Sequence, residues 1–62
     1  MTVRELLIHP ICFDVVEIRD FEGKNLIAHG DIEDLDRFYD CEVKDFNYDY
    51  SYDDFYVLKI FI

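Results

Sequence analysis

The closing run from Phe55 to Ile62 leaves this chain less freedom than any other feature. Read with a strand's period of two, Tyr56, Leu58, Ile60 and Ile62 fall on one side, and Phe55, Val57, Lys59 and Phe61 on the other. Both faces are apolar, so the strand must be covered twice. A chain of 62 residues has few elements to do this, and a domain of that size hides only about 60% of the surface its unfolded chain exposes. One helical layer covers one face of a sheet, which leaves Val57 and Phe61 for another element or another chain. A homodimer joined at Val57 and Phe61, its last strands pairing with each other, is expected on this ground.

The remaining elements follow from local signals. Thr2 and Glu5 have the spacing of a capping box, and Val3, Leu6 and Leu7 follow at helical intervals. That helix must end near Ile8, because Pro10 lacks an amide hydrogen and turns His9 away from helical angles. Phe13 to Asp20 is rich in β-branched residues, Glu22-Gly23 offers a turn, and Lys24 to His29 returns: a β-hairpin. Gly30-Asp31 then ends the strand and supplies an N-cap. Glu33 and Asp34 suit the positive end of a second helix of about two turns burying Ile32, Leu35 and Phe38. Cys41 to Tyr48 alternates weakly, and Asp49 to Asp54 reads as a turn before the last strand. No linker or repeat divides the chain. The expected fold is one α+β domain, residues 1–62, arranged α-β-β-α-β-β, with a four-stranded, mainly antiparallel sheet and short helices on one face.

Charge narrows the function classes. Fifteen acids against six Lys and Arg give a net charge of −9, yet 52% of residues are hydrophobic and 18% aromatic, which excludes a disordered acidic tail. Residues 1–30 carry five acids and three bases, and residues 31–62 ten acids and three bases, so −7 of the −9 lies in the second half. Direct nucleic-acid binding is disfavoured, since such a chain repels a polyanion and has no basic stripe. Apolar runs are far below the roughly 20 residues that span a bilayer. The chain lacks a charged segment followed by an apolar stretch and cleavage site, so the cytosol is expected, with Cys12 and Cys41 reduced.

Catalytic and metal signatures are weak. His9, Cys12, His29 and Cys41 make up the inventory of a structural zinc, but beyond His9-x-x-Cys12 their spacing fits no known knuckle. Asp45, Asn47 and Asp49, with Asp53 beyond, resemble the start of a calcium loop. Its sixth position is Tyr50 where a glycine must bend the chain, and its twelfth is Tyr56 where a bidentate Glu is needed. Cys12, Cys41 and Ser51 are the candidate nucleophiles, and spacing pairs none of them with a histidine. No Gly-rich phosphate loop is present. No cofactor and no enzymatic activity are expected.

Thr2-Val3-Arg4-Glu5-Leu6, Val16-Glu17-Ile18-Arg19-Asp20, Gly23-Lys24, Gly30, Asp34-Leu35, Val43 and Leu58-Lys59-Ile60 together resemble the layout of short proteins encoded by phages, prophages and gut-bacterial mobile elements. Those open with a T-V-x-E-L helix, continue through a V-x-I-x-D hairpin and close on an L-x-I strand. The resemblance implies the same α-β-β-α-β-β arrangement and carries no catalytic signature. This chain departs from it between Asp45 and Tyr56, where acids interleave with aromatics. Carboxylates spaced along a rigid surface present charge much as phosphates do, and Tyr rings add contact area at little entropic cost. The expected role is therefore a small acidic interaction protein docking on a basic partner, such as a nucleic-acid-binding protein or defence nuclease, in the manner of anti-restriction and anti-CRISPR DNA mimics. The residues expected to carry it are Asp31, Glu33, Asp34 and Asp36 on the second helix. Asp45, Tyr48, Asp49, Tyr50, Tyr52, Asp53 and Asp54 around the second hairpin complete the set. The bland reading is that these acids only solubilise a small fold and guard a sheet edge. The alternative role is a structural homodimer or virion-associated component.

Overall fold

The computed structural model describes residues 1–8, 13–50 and 55–62. The chain passes through helix α1 (Val3–Leu7), strands β1 (Val15–Arg19) and β2 (Leu26–Gly30), a 3₁₀ helix η1 (Ile32–Phe38), and strands β3 (Asp45–Tyr50) and β4 (Tyr56–Phe61). The strands form one sheet in the order β2-β1-β4-β3. Its two hairpins are antiparallel, and they meet at a parallel β1–β4 seam that sets Val16 beside Leu58 and Ile18 beside Ile60. The α+β class and element order are as expected, in a mixed sheet.

The position of β4 corrects one expectation. Its partners β1 and β3 occupy both edges, so it has no edge to offer an equivalent strand in a second chain. An apolar run on both faces is the mark of a central strand, and the parallel seam makes it one. Backbone bonds extend the seam at each end: Asp14 N–H donates to the Tyr56 carbonyl (2.9 Å) and Ile62 N–H to the Arg19 carbonyl (2.9 Å).

Val16, Ile18, Leu58 and Ile60 face one side of the sheet and are fully buried, together with Leu35 and Val3, and Leu6 and Leu7 of α1 are buried beside them. Burial of this kind contributes about 1.5–3 kcal/mol for each large aliphatic side chain. Helix α1 is only five residues long, too short to persist unaided. The chain following η1 holds it in place. Val3 and Arg4 amides donate to the carbonyls of Cys41 and Tyr39 (both 3.0 Å), while Glu5 N–H and the Thr2 hydroxyl close the capping box. Met1 and Val43 join across the same junction (2.7 Å), where the Met1 ammonium sits 2.8 Å from Glu42.

The second helix is of 3₁₀ rather than α type. Ile32, Leu35 and Phe38 recur every three residues, which matches the three-residue turn of a 3₁₀ helix. Leu35, where φ is −112° and ψ 15°, is fully buried. Phe38 is half-buried, and Ile32, in the first turn, stays 40% exposed, contrary to the burial expected of it. Gly30 makes this entry possible: it has φ +148°, and a Cβ there would lie 2.6 Å from Asp34 Oδ2. In the first hairpin the left-handed residue is Lys24 (φ 60°) and not Gly23.

Candidate functional site

Strand β3 carries the part of the acidic-aromatic segment that the structure describes. It pairs with β4 in unbroken register from Asp45 opposite Phe61 to Tyr50 opposite Tyr56. The strand therefore runs two residues past the Tyr48 limit read from sequence. As an edge strand it has all six residues exposed. Alternation separates its chemistry by face. Phe46, Tyr48 and Tyr50 lie on the side of Ile60, Leu58 and Tyr56, yet are 44%, 42% and 59% exposed. Of the helical layer, η1 packs beside β2 and α1. Tyr56 ties the row together, stacking on Tyr48 (5.4 Å between centroids) and tilting against Tyr50 (5.1 Å).

Asp45, Asn47 and Asp49 project from the opposite, open face. Asp49 Oδ2 is 2.6 Å from Lys59 Nζ. Asp45 Oδ1 accepts the Phe46 amide (2.8 Å), and the residue has no cationic partner among the described residues. An extended strand rises about 3.4 Å per residue, so the three stand in a row about 7 Å apart rather than wrapping a point as calcium ligands do.

The acids of η1 belong to a different region. Asp31, Glu33, Asp34 and Asp36 are all exposed, but η1 packs beside β2, at the opposite edge of the sheet from β3, and on the helix-covered face. The expected acidic set thus divides into two groups on opposite faces. Asp34 also has a local task, since its Oδ2 accepts the Asp31 amide at 3.0 Å and leans over Gly30. Tyr52, Asp53 and Asp54 lie outside the described residues, as do His9, Cys12 and Ser51.

On the open face, Arg19, Lys24, Asp45, Asn47, Lys59 and Phe61 line a shallow concavity of about 470 Å³. Sequence reading missed this gathering of three of the six cationic side chains, because it depends on the β1–β4 seam. Parity alone puts Lys59 beside Phe61, but it does not bring Arg19 next to them. The cations are already engaged: Arg19 Nε lies 2.8 Å from Glu17 Oε1, and Lys24 Nζ rests 4.3 Å from the Phe21 ring centroid and 4.7 Å from that of Phe61. Lys24 thus lies over the ring of Phe61, for which a second chain was expected to provide cover. Phe61 is only 5% exposed, and Val57 is half-buried.

Among the described residues no group of three or more His, Cys, Asp or Glu is placed to hold a metal ion, and no helix is long and apolar enough to cross a membrane. His29 is exposed on β2 opposite Glu17, and Cys41 is half-buried against the core. The Met1 ammonium is held above its ordinary value of 8.0, chiefly by its hydrogen bond to Glu42, with the Glu42 and Glu5 charges adding to the effect.

Fold and surface together define a two-layer α+β domain that displays an acidic and aromatic edge strand. No protein-family model, curated protein or solved structure matches the chain at a significant level.

Proposed function

We propose that this is a small, acidic, non-enzymatic interaction protein that docks on a basic surface of a partner protein. The observation supporting this reading is the exposure of Phe46, Tyr48 and Tyr50 on a strand whose other face carries Asp45 and Asp49. Exposed aromatics in a row are costly to leave in water, and such rings beside charge are the usual material of a protein-binding hot spot. The partner best suited is one whose Lys and Arg ordinarily face a polyanion, such as a nucleic-acid-binding protein or nuclease, and an origin in a phage or mobile element agrees with the layout of the chain. The carboxylates of η1 form a separate patch and are not needed for this contact. Self-association through the open face of β4, the second reading, draws on Val57 alone once Phe61 is covered by Lys24.

The test is affinity capture from a lysate of the native host at low salt, comparing the wild-type protein with Asp45→Asn/Tyr48→Ala/Asp49→Asn/Tyr50→Ala. A basic protein held by the wild type, released as ionic strength rises and not held by the variant, is the expected result. Equal retention by both proteins, or retention of no basic protein, overturns the proposal.

A further inference from the structure

We infer that the concavity on the open face of the sheet binds a small zwitterion, a free α-amino acid or short peptide, with its carboxylate on Lys24 and its ammonium on Asp45. The site lies on the opposite face from the aromatic row, and its occupancy needs no protein partner. Of its lining residues only Asp45 also belongs to the docking surface.

The register assembles the site. Phe61 pairs with Arg19 on one side and with Asp45 on the other, and Lys59 pairs with Asn47. Strands stand about 4.8 Å apart, so the backbones of Arg19 and Asp45 flank Phe61 at a separation of about 10 Å. Lys24 reaches this row from the hairpin turn. Its ammonium lies 4.7 Å from the Phe61 ring centroid, and its carbonyl accepts from Arg19 Nη1 at 2.9 Å. Lys24 takes φ 60°, a left-handed conformation that residues with a side chain seldom adopt, although Gly23 stands next to it. The volume of about 470 Å³ falls within the roughly 300–1,000 Å³ of small-molecule sites.

Charge selects the ligand. Two of the three lining cations already have carboxylates, Arg19 that of Glu17 and Lys59 that of Asp49. The rings of Phe21 and Phe61 attract the Lys24 ammonium without neutralising it, and Lys24 has no carboxylate partner among the described residues. Asp45 likewise has no cationic partner among them. The concavity is thus left with one unpaired charge of each sign. A simple anion gains Lys24 but meets Asp45, and a simple amine gains Asp45 but meets Arg19, Lys24 and Lys59. A ligand carrying both charges satisfies both, and the Asn47 side chain adds an amide that can donate and accept.

The experiment titrates the isotope-labelled full chain with alanine and alanylalanine, each also in its N-acetylated, amidated and doubly blocked forms, and follows NMR chemical shifts. At least one of the two zwitterions should bind with a Kd of about 1 mM and shift Lys24, Asp45, Asn47 and Lys59. Each singly blocked form should bind about tenfold more weakly, and the doubly blocked form should produce no saturable shift. The preference between alanine and alanylalanine distinguishes a free amino acid from a peptide. Asp45→Asn should abolish the advantage of the zwitterion over its N-acetylated form, and Lys24→Met its advantage over the amide, with the amide spectrum of each variant checking its fold. Binding of the N-acetylated form by the wild type as tightly as the zwitterion reveals a simple anion site and overturns the inference. Equal binding of the amidated form overturns it too, as does a footprint on η1 or the aromatic row, or no saturable shift from either zwitterion up to about 10 mM.

Discussion

The two edge strands of this sheet are finished in opposite ways. Strand β2 ends in Gly30, which lets the chain turn into η1 and drop Leu35 into the core, so that edge is backed by the fold's own helical layer. Strand β3 contributes none of the fully buried side chains and displays rings on one face and carboxylates on the other. Stability is thus concentrated in the β1–β4 seam and the elements over it, while β3 is carried by that platform. Displayed surface is tolerable only where the rest of the fold does not depend on it.

This division is broken most directly by paired truncations. Leu58→Ala removes a fully buried side chain from the centre and should cost about 2–5 kcal/mol, enough to unfold much of so small a domain. Tyr48→Ala, one strand away and directly opposite in the register, should cost about 1 kcal/mol or less. Urea midpoints measure both, and equal losses would mean that β3 belongs to the core.

The β2 side is sharpened by Gly30→Ala. Its φ of +148° and the approach of Asp34 leave no room for a methyl group, so a loss of about 1–3 kcal/mol is expected. Thermal melting of Gly30→Ala beside Gly30→Ala/Asp34→Ala separates the carboxylate from the rest: partial recovery in the double variant assigns part of the cost to the approach of the Asp34 carboxyl group, and the remainder to backbone conformation together with the Asp34 Cβ, 2.9 Å away.

The smallest effect concerns the junction between α1 and the start of β3. Because the folded Met1 ammonium titrates above 8.0, the stability it brings is complete below that value and is lost as pH rises through the raised one. The difference in stability between wild type and Glu42→Gln should therefore shrink from pH 7 toward pH 10, measured by urea titration at each pH. A gap that stays constant or widens would remove the ion pair from the account.

Local signals in the sequence were most informative where a few adjacent residues decide the outcome. Thr2 and Glu5 specify the start of α1 because cap and amides lie within one turn. The two faces of β4 follow from strict alternation, and Leu58 and Ile60 are buried as that alternation requires. The type of η1 was misjudged, although the signal was present: Ile32, Leu35 and Phe38 are spaced three and three, where an α-helix would mix three and four. The extent of β3 was underestimated because acids and aromatics together suggest a turn, and an edge strand can keep acids that a central strand would exclude.

The site was legible in composition and not in arrangement. The segment from Asp45 to Tyr56 is conspicuous in sequence, and alternation separates Asp45 and Asp49 from Tyr48 and Tyr50 once the strand is known to run to Tyr50, but nothing in the segment indicates that extent or that the acids of η1 lie on the other face. Nor does local pattern place Arg19 and Lys24 next to Phe61.

What the chain determines by itself is therefore its class, its element order, its caps and the strand that must lie deepest, since each rests on interactions among near neighbours or on a periodicity of two or three. Strand order and the parallel seam arose only in the folded whole. They come from burying Val16, Ile18, Leu35, Leu58 and Ile60 together under one helical layer, a choice among long-range pairings that no local run of residues encodes. That choice also covers Phe61 from within and leaves β3 bare.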